Sequence, residues 1–97
     1  MRYYVYSAFG NQIELDSMLN FYEIGDDLYF TRSIEINAEG QVLKYSTEHQ
    51  ADEHGQLPEG EWDEAEAAKP EYGATIEIDA AVFSAAWKNM LAYNMSR

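Results

Sequence analysis

The side chains best suited to chemistry are concentrated in one stretch near the middle of the chain. Its potential metal ligands are Glu48, His49, Asp52, Glu53 and His54, residue types that bind zinc or nickel. The two histidines are five residues apart in a segment without helical periodicity, so they lack the shared face of an i, i+4 pair. We interpret the stretch as a solvated loop and predict neither a metal site nor a cofactor.

Catalysis has little support in the sequence. His49 and His54 are the only histidines, so a nucleophile with a histidine base would have to be built in the least structured segment. Carboxylates are abundant, but they occur in polar runs where water keeps them ionised. The six glycines are isolated in turn contexts, which excludes a Gly-rich phosphate loop. We therefore predict that the chain is not an enzyme.

The distribution of acidic residues is the most informative feature. Half of the 18 acidic residues fall within residues 48–71, where Lys69 is the only base, and Leu57, Trp62 and Tyr72 are interleaved with them. An aromatic anchor among carboxylates is typical of a surface that captures a basic protein. Two interpretations of Trp62 stay open, since it either contacts a partner or fastens a short helix to the sheet. The predicted partner-binding residues are Glu48, Asp52, Glu53, Glu59, Glu61, Trp62, Asp63, Glu64 and Glu66.

The overall charge narrows the class of partner. The net charge is −12, from 18 acidic and 6 basic residues. Binding to phosphate depends on clustered Lys and Arg, so we expect neither nucleic acid nor a membrane surface as a partner. Charge favours a basic protein, although acidity also serves solubility. Asp26 and Asp27 form a second acidic spot that turn chemistry alone would explain.

Length and composition predict a single folded domain over residues 1–97. The chain is 46% hydrophobic and 14% aromatic, which is typical of a globular protein. Cysteine is absent, as suits a reducing compartment. No apolar run approaches the roughly 18 residues of a membrane span, and the N-terminal apolar run is too short for a signal peptide. We expect a soluble, cytoplasmic protein.

The elements that must position these residues follow from the hydrophobic patterning. Alternating apolar residues predict strands over residues 2–8, 18–24, 28–36, 41–46 and 75–78, with turns at residues 9–12, 25–27 and 37–40. Residues 47–60 have no apolar period and predict a long surface loop. Residues 61–68 predict a two-turn acidic helix that ends before Pro70. The first four strands should form an antiparallel meander.

Two local patterns refine this α+β architecture. Arg32 falls in the middle of an apolar row, so either a β-bulge near Arg32 and Ser33 shifts the register or the side chain extends to water. A bulge is the favoured interpretation. Tyrosines along the N-terminal strands alternate between the two faces, so one face of the sheet is expected to stay open.

A C-terminal helix is predicted to pack on one face of the sheet. Asp79 is placed to cap it. Its apolar stripe consists of Phe83, Trp87, Met90 and Leu91, and ends at Asn94.

The order of these parts resembles small bacterial domains that are similar to immunity proteins of polymorphic toxin and contact-dependent inhibition systems. The resemblance lies in the opening Met1-Arg2-Tyr3-Tyr4, in Phe21-Tyr22-Glu23-Ile24 with Asp26-Asp27, in Thr31-Arg32-Ser33-Ile34-Glu35-Ile36 with the ending Tyr45-Ser46, and in Ile76-Glu77-Ile78-Asp79 leading to Phe83 and Trp87. These motifs are packing patterns, so they transfer no binding residue. The resemblance implies neutralisation of a cognate toxin, often a nuclease with a basic cleft.

Two other functions remain open. A decoy that mimics nucleic acid would share the acidity, and would bind many DNA- or RNA-handling proteins instead of one partner. A small ligand-binding domain would need a pocket.

Overall fold

The chain folds into an antiparallel sheet with a helix on one face and a partly irregular connection on the other. A computed structural model describes residues 1–8, 17–69 and 73–95. Its elements in chain order are β1 (Arg2–Ala8), β2 (Ser17–Ile24), β3 (Phe30–Asn37), β4 (Val42–Ser46), β5 (Ala51–Asp52), β6 (Gly55–Gln56), α1 (Glu64–Ala67), β7 (Gly73–Ile78) and α2 (Ala80–Asn89). The turn predicted at residues 9–12 lies outside the described residues, as do Pro70, Glu71 and Tyr72.

The five long strands lie in the order β4-β3-β2-β1-β7, and every neighbouring pair is antiparallel. The predicted α+β fold is confirmed: it has a five-stranded antiparallel sheet in which β1 to β4 form a meander, a short acidic helix before the last strand and a C-terminal helix. The last strand lies beside the first, which makes β4 and β7 the two edges of the sheet.

The turn that joins β2 and β3 is longer than the sequence predicts. Leu28 has φ 74°, in the left-handed region, and its N–H donates to the carbonyl oxygen of Gly25 at 2.9 Å. Gly25 in turn donates its N–H to the carbonyl oxygen of Tyr29 at 2.9 Å. The third strand therefore begins at Phe30, and the prediction that it begins at residue 28 is wrong.

The β-bulge predicted near Arg32 is present. Glu23 pairs with Arg32, whereas its neighbour Ile24 pairs with Phe30, which leaves Thr31 as the extra residue. The bulge turns Phe30 towards the face opposite α2, where it packs on a cluster that includes Tyr45. Arg32 consequently stays on the face that α2 covers.

An ion pair makes Arg32 compatible with that apolar face. Its guanidinium donates to both carboxylate oxygens of Glu23, at 2.8 and 2.7 Å, and only 7% of the Glu23 side chain is exposed. The same guanidinium lies 4.9 Å from the ring centroids of Phe83 and Trp87. The hydrogen bond from Arg32 lowers the pKa of Glu23 against the opposing effect of burial, and Thr31 adds a further hydrogen bond.

The core beneath α2 is built by Phe21, Ile34 and Phe83, with Trp87 partly buried beside them. Phe83 also contacts Tyr3, with ring centroids 5.4 Å apart. Burying a side chain of this size stabilises the fold by about 1.5–3 kcal/mol. The predicted role of Phe83 and Trp87 in attaching the helix is therefore confirmed.

The C-terminal helix is shorter than its apolar stripe predicts. It ends at Asn89, with Met90 as its C-cap. The buried ammonium of Lys44 donates to the carbonyl oxygens of Trp87 and Met90, and so closes the helix at this point. Leu91 lies beyond the end and is 90% exposed, so its predicted place in the apolar stripe is wrong.

The two polar ends of that predicted helix also differ from expectation. Asp79 occupies the N-cap position, but its side chain makes no capping hydrogen bond. Asn94 binds the backbone of Lys44 on β4 instead of continuing the helix. In the described parts of the chain, neither helix is long and apolar enough to span a membrane.

The face opposite α2 is covered, which corrects the expectation that it stays open. Leu57 packs there on Leu43 and Tyr45. The connection that carries Leu57 is also more ordered than the predicted loop, because β5 and β6 pair within it. Its helix α1 is a single turn, so the prediction of a two-turn helix over residues 61–68 is wrong.

The ion pair under α2 leads to a stability prediction. Glu23→Gln should lower the free energy of unfolding by about 3 kcal/mol, because it leaves the Arg32 charge without its anion in a mostly dry site. Chemical denaturation of this variant and of the double variant Glu23→Gln/Arg32→Met would measure the effect. The double variant should recover much of the loss, since it removes both charges. Equal losses in the two variants would contradict this account.

Candidate protein-binding surface

A cleft of about 540 Å³ collects part of the predicted acidic surface. We define the acidic cleft by four carboxylate residues, one aromatic residue and one base that line it: Asp26, Glu61, Asp63, Glu64, Trp62 and Arg2. The carboxylates come from two places in the chain, the turn between β2 and β3 and the segment that leads into and begins α1. The sheet brings them together.

Backbone contacts fix the two segments against each other. The N–H of Trp62 donates to the carbonyl oxygen of Leu28 at 2.7 Å, and Glu61 forms an antiparallel bridge with Tyr29. Both partners belong to the extended turn of the hairpin. These two contacts hold Glu61 and Trp62 against the turn, and α1 begins only at Glu64.

Trp62 fastens the acidic segment to the sheet. Its ring stacks on Tyr4, with centroids 4.3 Å apart and an interplanar angle of 27°. It also contacts Tyr22 and Phe30 at 5.8 and 5.9 Å. The interpretation of Trp62 as an attachment to the sheet is therefore confirmed, and its direct contact with a partner stays a prediction.

Glu64 is held in one orientation by two donors from the same aromatic cluster. Its Oε1 accepts from the Tyr4 hydroxyl at 2.8 Å and from the Trp62 indole N–H at 3.1 Å. The hydrogen bond from Tyr4 is the main reason why the pKa of Glu64 is lowered. Burial and then this carboxylate raise the pKa of Tyr4 to about 12. Glu64 is therefore a fixed anion at neutral pH.

Arg2 is the one base among the described residues that line the cleft, and it is already engaged. Its Nε and Nη2 donate to the two carboxylate oxygens of Glu77 at 3.0 and 2.9 Å. The third guanidinium nitrogen, Nη1, lies 3.7 Å from Glu64 Oε1. Because Arg2 is shared between two carboxylates, the cleft keeps an excess of negative charge.

The other acids of the α1 segment have local partners. Asp63 caps the helix, since its side chain accepts from the N–H groups of Ala65 and Glu66 at 3.1 and 3.2 Å. Glu66 accepts from the Lys69 ammonium at 2.9 Å, which raises the pKa of Lys69. Asp63 faces the cleft, whereas Glu66 lines a neighbouring cavity.

Asp26 is a functional candidate that sequence reasoning did not include in the surface. Its side chain is 94% exposed and lies 3.0 Å from the ammonium group of Met1. Asp27, in contrast, is turned to the backbone and accepts from the N–H of Tyr29 at 3.1 Å. The paired aspartates in the turn were the signal, but their proximity to Glu61 follows only from the fold.

Five of the nine predicted residues lie outside the cleft, and one of them is Glu66, which lines the neighbouring cavity. Glu48 and Glu59 are exposed on the preceding connection, and Glu53 lines a separate depression with Glu39. The nine residues predicted for partner binding therefore do not form one continuous surface.

Asp52 also lies outside the cleft, and its carboxylate is engaged within the protein. It accepts from the Tyr45 hydroxyl, the His54 N–H, the His49 ring and the Asn94 amide, at 2.8 to 3.0 Å. Only 18% of the side chain is exposed. Burial opposes ionisation, but these hydrogen bonds together hold the pKa of Asp52 well below its usual range. Asp52 anchors the β5–β6 hairpin, and we leave it out of the proposed surface.

A second cavity of about 310 Å³ adjoins the cleft on the same face of the sheet. Tyr6, Tyr22 and Trp62 line it, together with the Glu66–Lys69 ion pair. Trp62 therefore lies between the two cavities. Across residues 1–8, 17–69 and 73–95, no group of three acidic or histidine side chains is arranged to hold a metal ion.

Comparison with known proteins adds no assignment. No model of a protein family matches the chain, and neither curated proteins nor solved structures give a significant match.

The Asp52 network leads to a prediction with a matched control. Asp52→Asn should lower the free energy of unfolding by about 2 kcal/mol at neutral pH, because the amide cannot accept all four hydrogen bonds. Glu53→Gln removes the same charge from the adjacent exposed residue, and should change stability by less than about 0.5 kcal/mol. Urea titration of both variants would test this.

The penalty at Asp52 should also depend on pH. A carboxylate with a lowered pKa contributes fully above its unfolded pKa of about 3.9, and the contribution is lost as pH falls below that value. The stability difference between the native chain and Asp52→Asn should therefore shrink on acidification below about pH 4. A difference that is constant from pH 7 to about pH 2 would contradict the assigned network.

Proposed function

We propose that this chain is a toxin-neutralising immunity protein, which binds a basic toxin domain through the acidic cleft. The observation that carries the proposal is the convergence of Asp26, Glu61, Asp63 and Glu64 around Trp62. The function is inhibition by binding, in the cytoplasm, without catalysis. The partner class is a protein with a cationic cleft, and a nuclease domain is the preferred candidate.

Preorganisation supports the choice of this cleft. Glu64 is fixed by two hydrogen bonds and Asp63 by the start of α1, so these carboxylates lose little side-chain freedom on binding. Asp26 and Glu61 are more exposed and are placed to attract the partner at a distance. Complementary charge of this kind accelerates association by about 10–10³-fold at low ionic strength.

The cleft also offers an apolar centre. The exposed part of Trp62 and the half-exposed Leu28 lie among the carboxylates. Interfaces draw most of their affinity from such aromatic and aliphatic anchors, whereas surrounding charges provide rate and specificity. A basic surface with one inserted apolar or long aliphatic side chain would complement both features.

The decisive comparison uses two double variants that remove equal charge. Asp26→Asn/Glu61→Gln alters the cleft without touching the capping residue or the aromatic cluster, and Glu48→Gln/Glu59→Gln alters exposed acids elsewhere. With the partner captured from the native host, the cleft variant should slow association by about tenfold at low salt. The control should change it by less than about twofold.

Stopped-flow or surface-binding kinetics would supply these rates, repeated at high ionic strength, where the two variants should converge. Equal effects of both pairs at low salt would mean that only the total charge matters, and would refute the assignment of the cleft. Capture of acidic or neutral partners alone would refute the function itself.

The second cavity favours one other function, the binding of a small ligand. Its three aromatic rings and adjacent ion pair have the mixed character of ligand pockets. A panel of metabolites that raised the melting temperature of the native chain, but not that of Tyr22→Ala, would support this alternative.

A further inference from the structure

The two edge strands, β4 and β7, differ in the hydrogen bonding of their outward backbone groups. On β4, the N–H of Tyr93 donates to the carbonyl oxygen of Val42 at 2.7 Å. The Asn94 amide then bonds both the N–H and the carbonyl oxygen of Lys44, at 2.9 and 3.0 Å. On β7, no backbone group of the described segments bonds the outer edge. The β4 edge is therefore closed, whereas the outward backbone groups of β7 have no backbone partner among the described residues.

The hydrogen bonds at β4 allow us to deduce which residues of β7 direct their backbone groups away from β1. In an antiparallel ladder, alternate residues bond to opposite neighbours. The bonded backbone groups of Val42 and Lys44 are directed away from β3, at the outer edge of the sheet. The observed strand registers carry this alternation from β4 across the sheet to β7. It follows that Ile76 bonds to Val5 of β1, while Thr75 and Glu77 direct their N–H and carbonyl groups outward.

The side chain between those two outward residues is apolar. Ile76 is 62% exposed and shares a face with its cross-strand partner Val5, which packs on the core beneath α2. The strand Gly73–Ile78 contains neither Lys nor Pro, the residues that commonly protect an edge from pairing. An exposed Ile beside unpaired backbone groups is suited to pairing with another strand.

We propose that β7 joins two copies of this chain, which pair antiparallel about a two-fold axis at Ile76. In this register Thr75 lies opposite Glu77 of the second copy, and the two strands exchange about four backbone hydrogen bonds. The two Ile76 residues form the non-hydrogen-bonded pair on the axis, where side chains approach most closely. The strand is thus self-complementary in backbone and side chain.

Charge and side-chain pairing favour this register over the two neighbouring registers. Moving the axis to Glu77 would oppose two carboxylates, and moving it to Thr75 would place Ile76 opposite Ala74. Centred on Ile76, each Glu77 faces a threonine. The carboxylate of Glu77 is also bound by both donors of Arg2, so it approaches the second copy as an ion pair.

The net charge of each copy sets the salt dependence. Two bodies of charge −12 repel each other beyond the contact, and added salt screens this repulsion. The association should therefore strengthen with ionic strength, whereas binding of a basic partner in the acidic cleft should weaken. The two interactions can thus be tested independently.

Oxidative cross-linking tests the register. The chain has no cysteine, so Ile76→Cys introduces a single thiol on the proposed axis, at a Cα separation of about 4.5 Å that permits a disulfide. Leu91→Cys is the matched control at another exposed apolar residue, and Thr75→Cys is displaced from the axis. Ile76→Cys should form covalent dimers at least about tenfold faster than either control. Similar rates in the three variants would overturn the register.

Sedimentation of the cysteine-free chain tests the association itself. The native chain should shift from monomer towards dimer with concentration, more strongly at about 0.5 M than at about 0.02 M NaCl. Ile76→Lys should associate at least about tenfold more weakly, and Leu91→Lys should behave as the native chain, with circular dichroism confirming that both are folded. A native chain that remains monomeric up to about 1 mM at high salt would overturn the proposal.

Discussion

The stack of Trp62 on Tyr4 is the contact on which the acidic face of this protein depends. It holds a segment rich in like charges against the sheet. The indole N–H and the Tyr4 hydroxyl then orient Glu64. A side chain that belongs to the hydrophobic packing therefore also sets the geometry of the carboxylates that we propose for recognition.

The opposite face solves the related problem of a charge within an apolar row. The bulge at Thr31 lets Phe30 and Arg32 serve different faces although they are two residues apart. Glu23 neutralises Arg32, and the two aromatic rings of α2 cover the guanidinium. Lys44 repeats this arrangement at the helix end, where its ammonium replaces the missing hydrogen bonds of the last turn.

The sequence predicted what depends on local periodicity. Alternation located the five long strands, the conflict at Arg32 located the bulge, and Phe83 with Trp87 located the helix. What it missed depends on contacts between distant residues. Asn94 reaches back to β4, and four donors from different segments converge on Asp52. Neither leaves a periodic signal, just as nothing local indicates that Asp26 meets the segment at Glu61.

The helix α2 follows all the strands in the sequence, which has a consequence for folding during synthesis. The strands β1 to β4 leave the ribosome well before α2, so their apolar face is exposed for an interval in which it could associate with other nascent chains. Arg32 and Glu23 lie in the middle of that face. Until α2 covers this face, the hydrated Arg32–Glu23 ion pair interrupts its apolar surface and opposes aggregation, as gatekeeper residues do. The pair loses its contact with water only when α2 packs on the sheet.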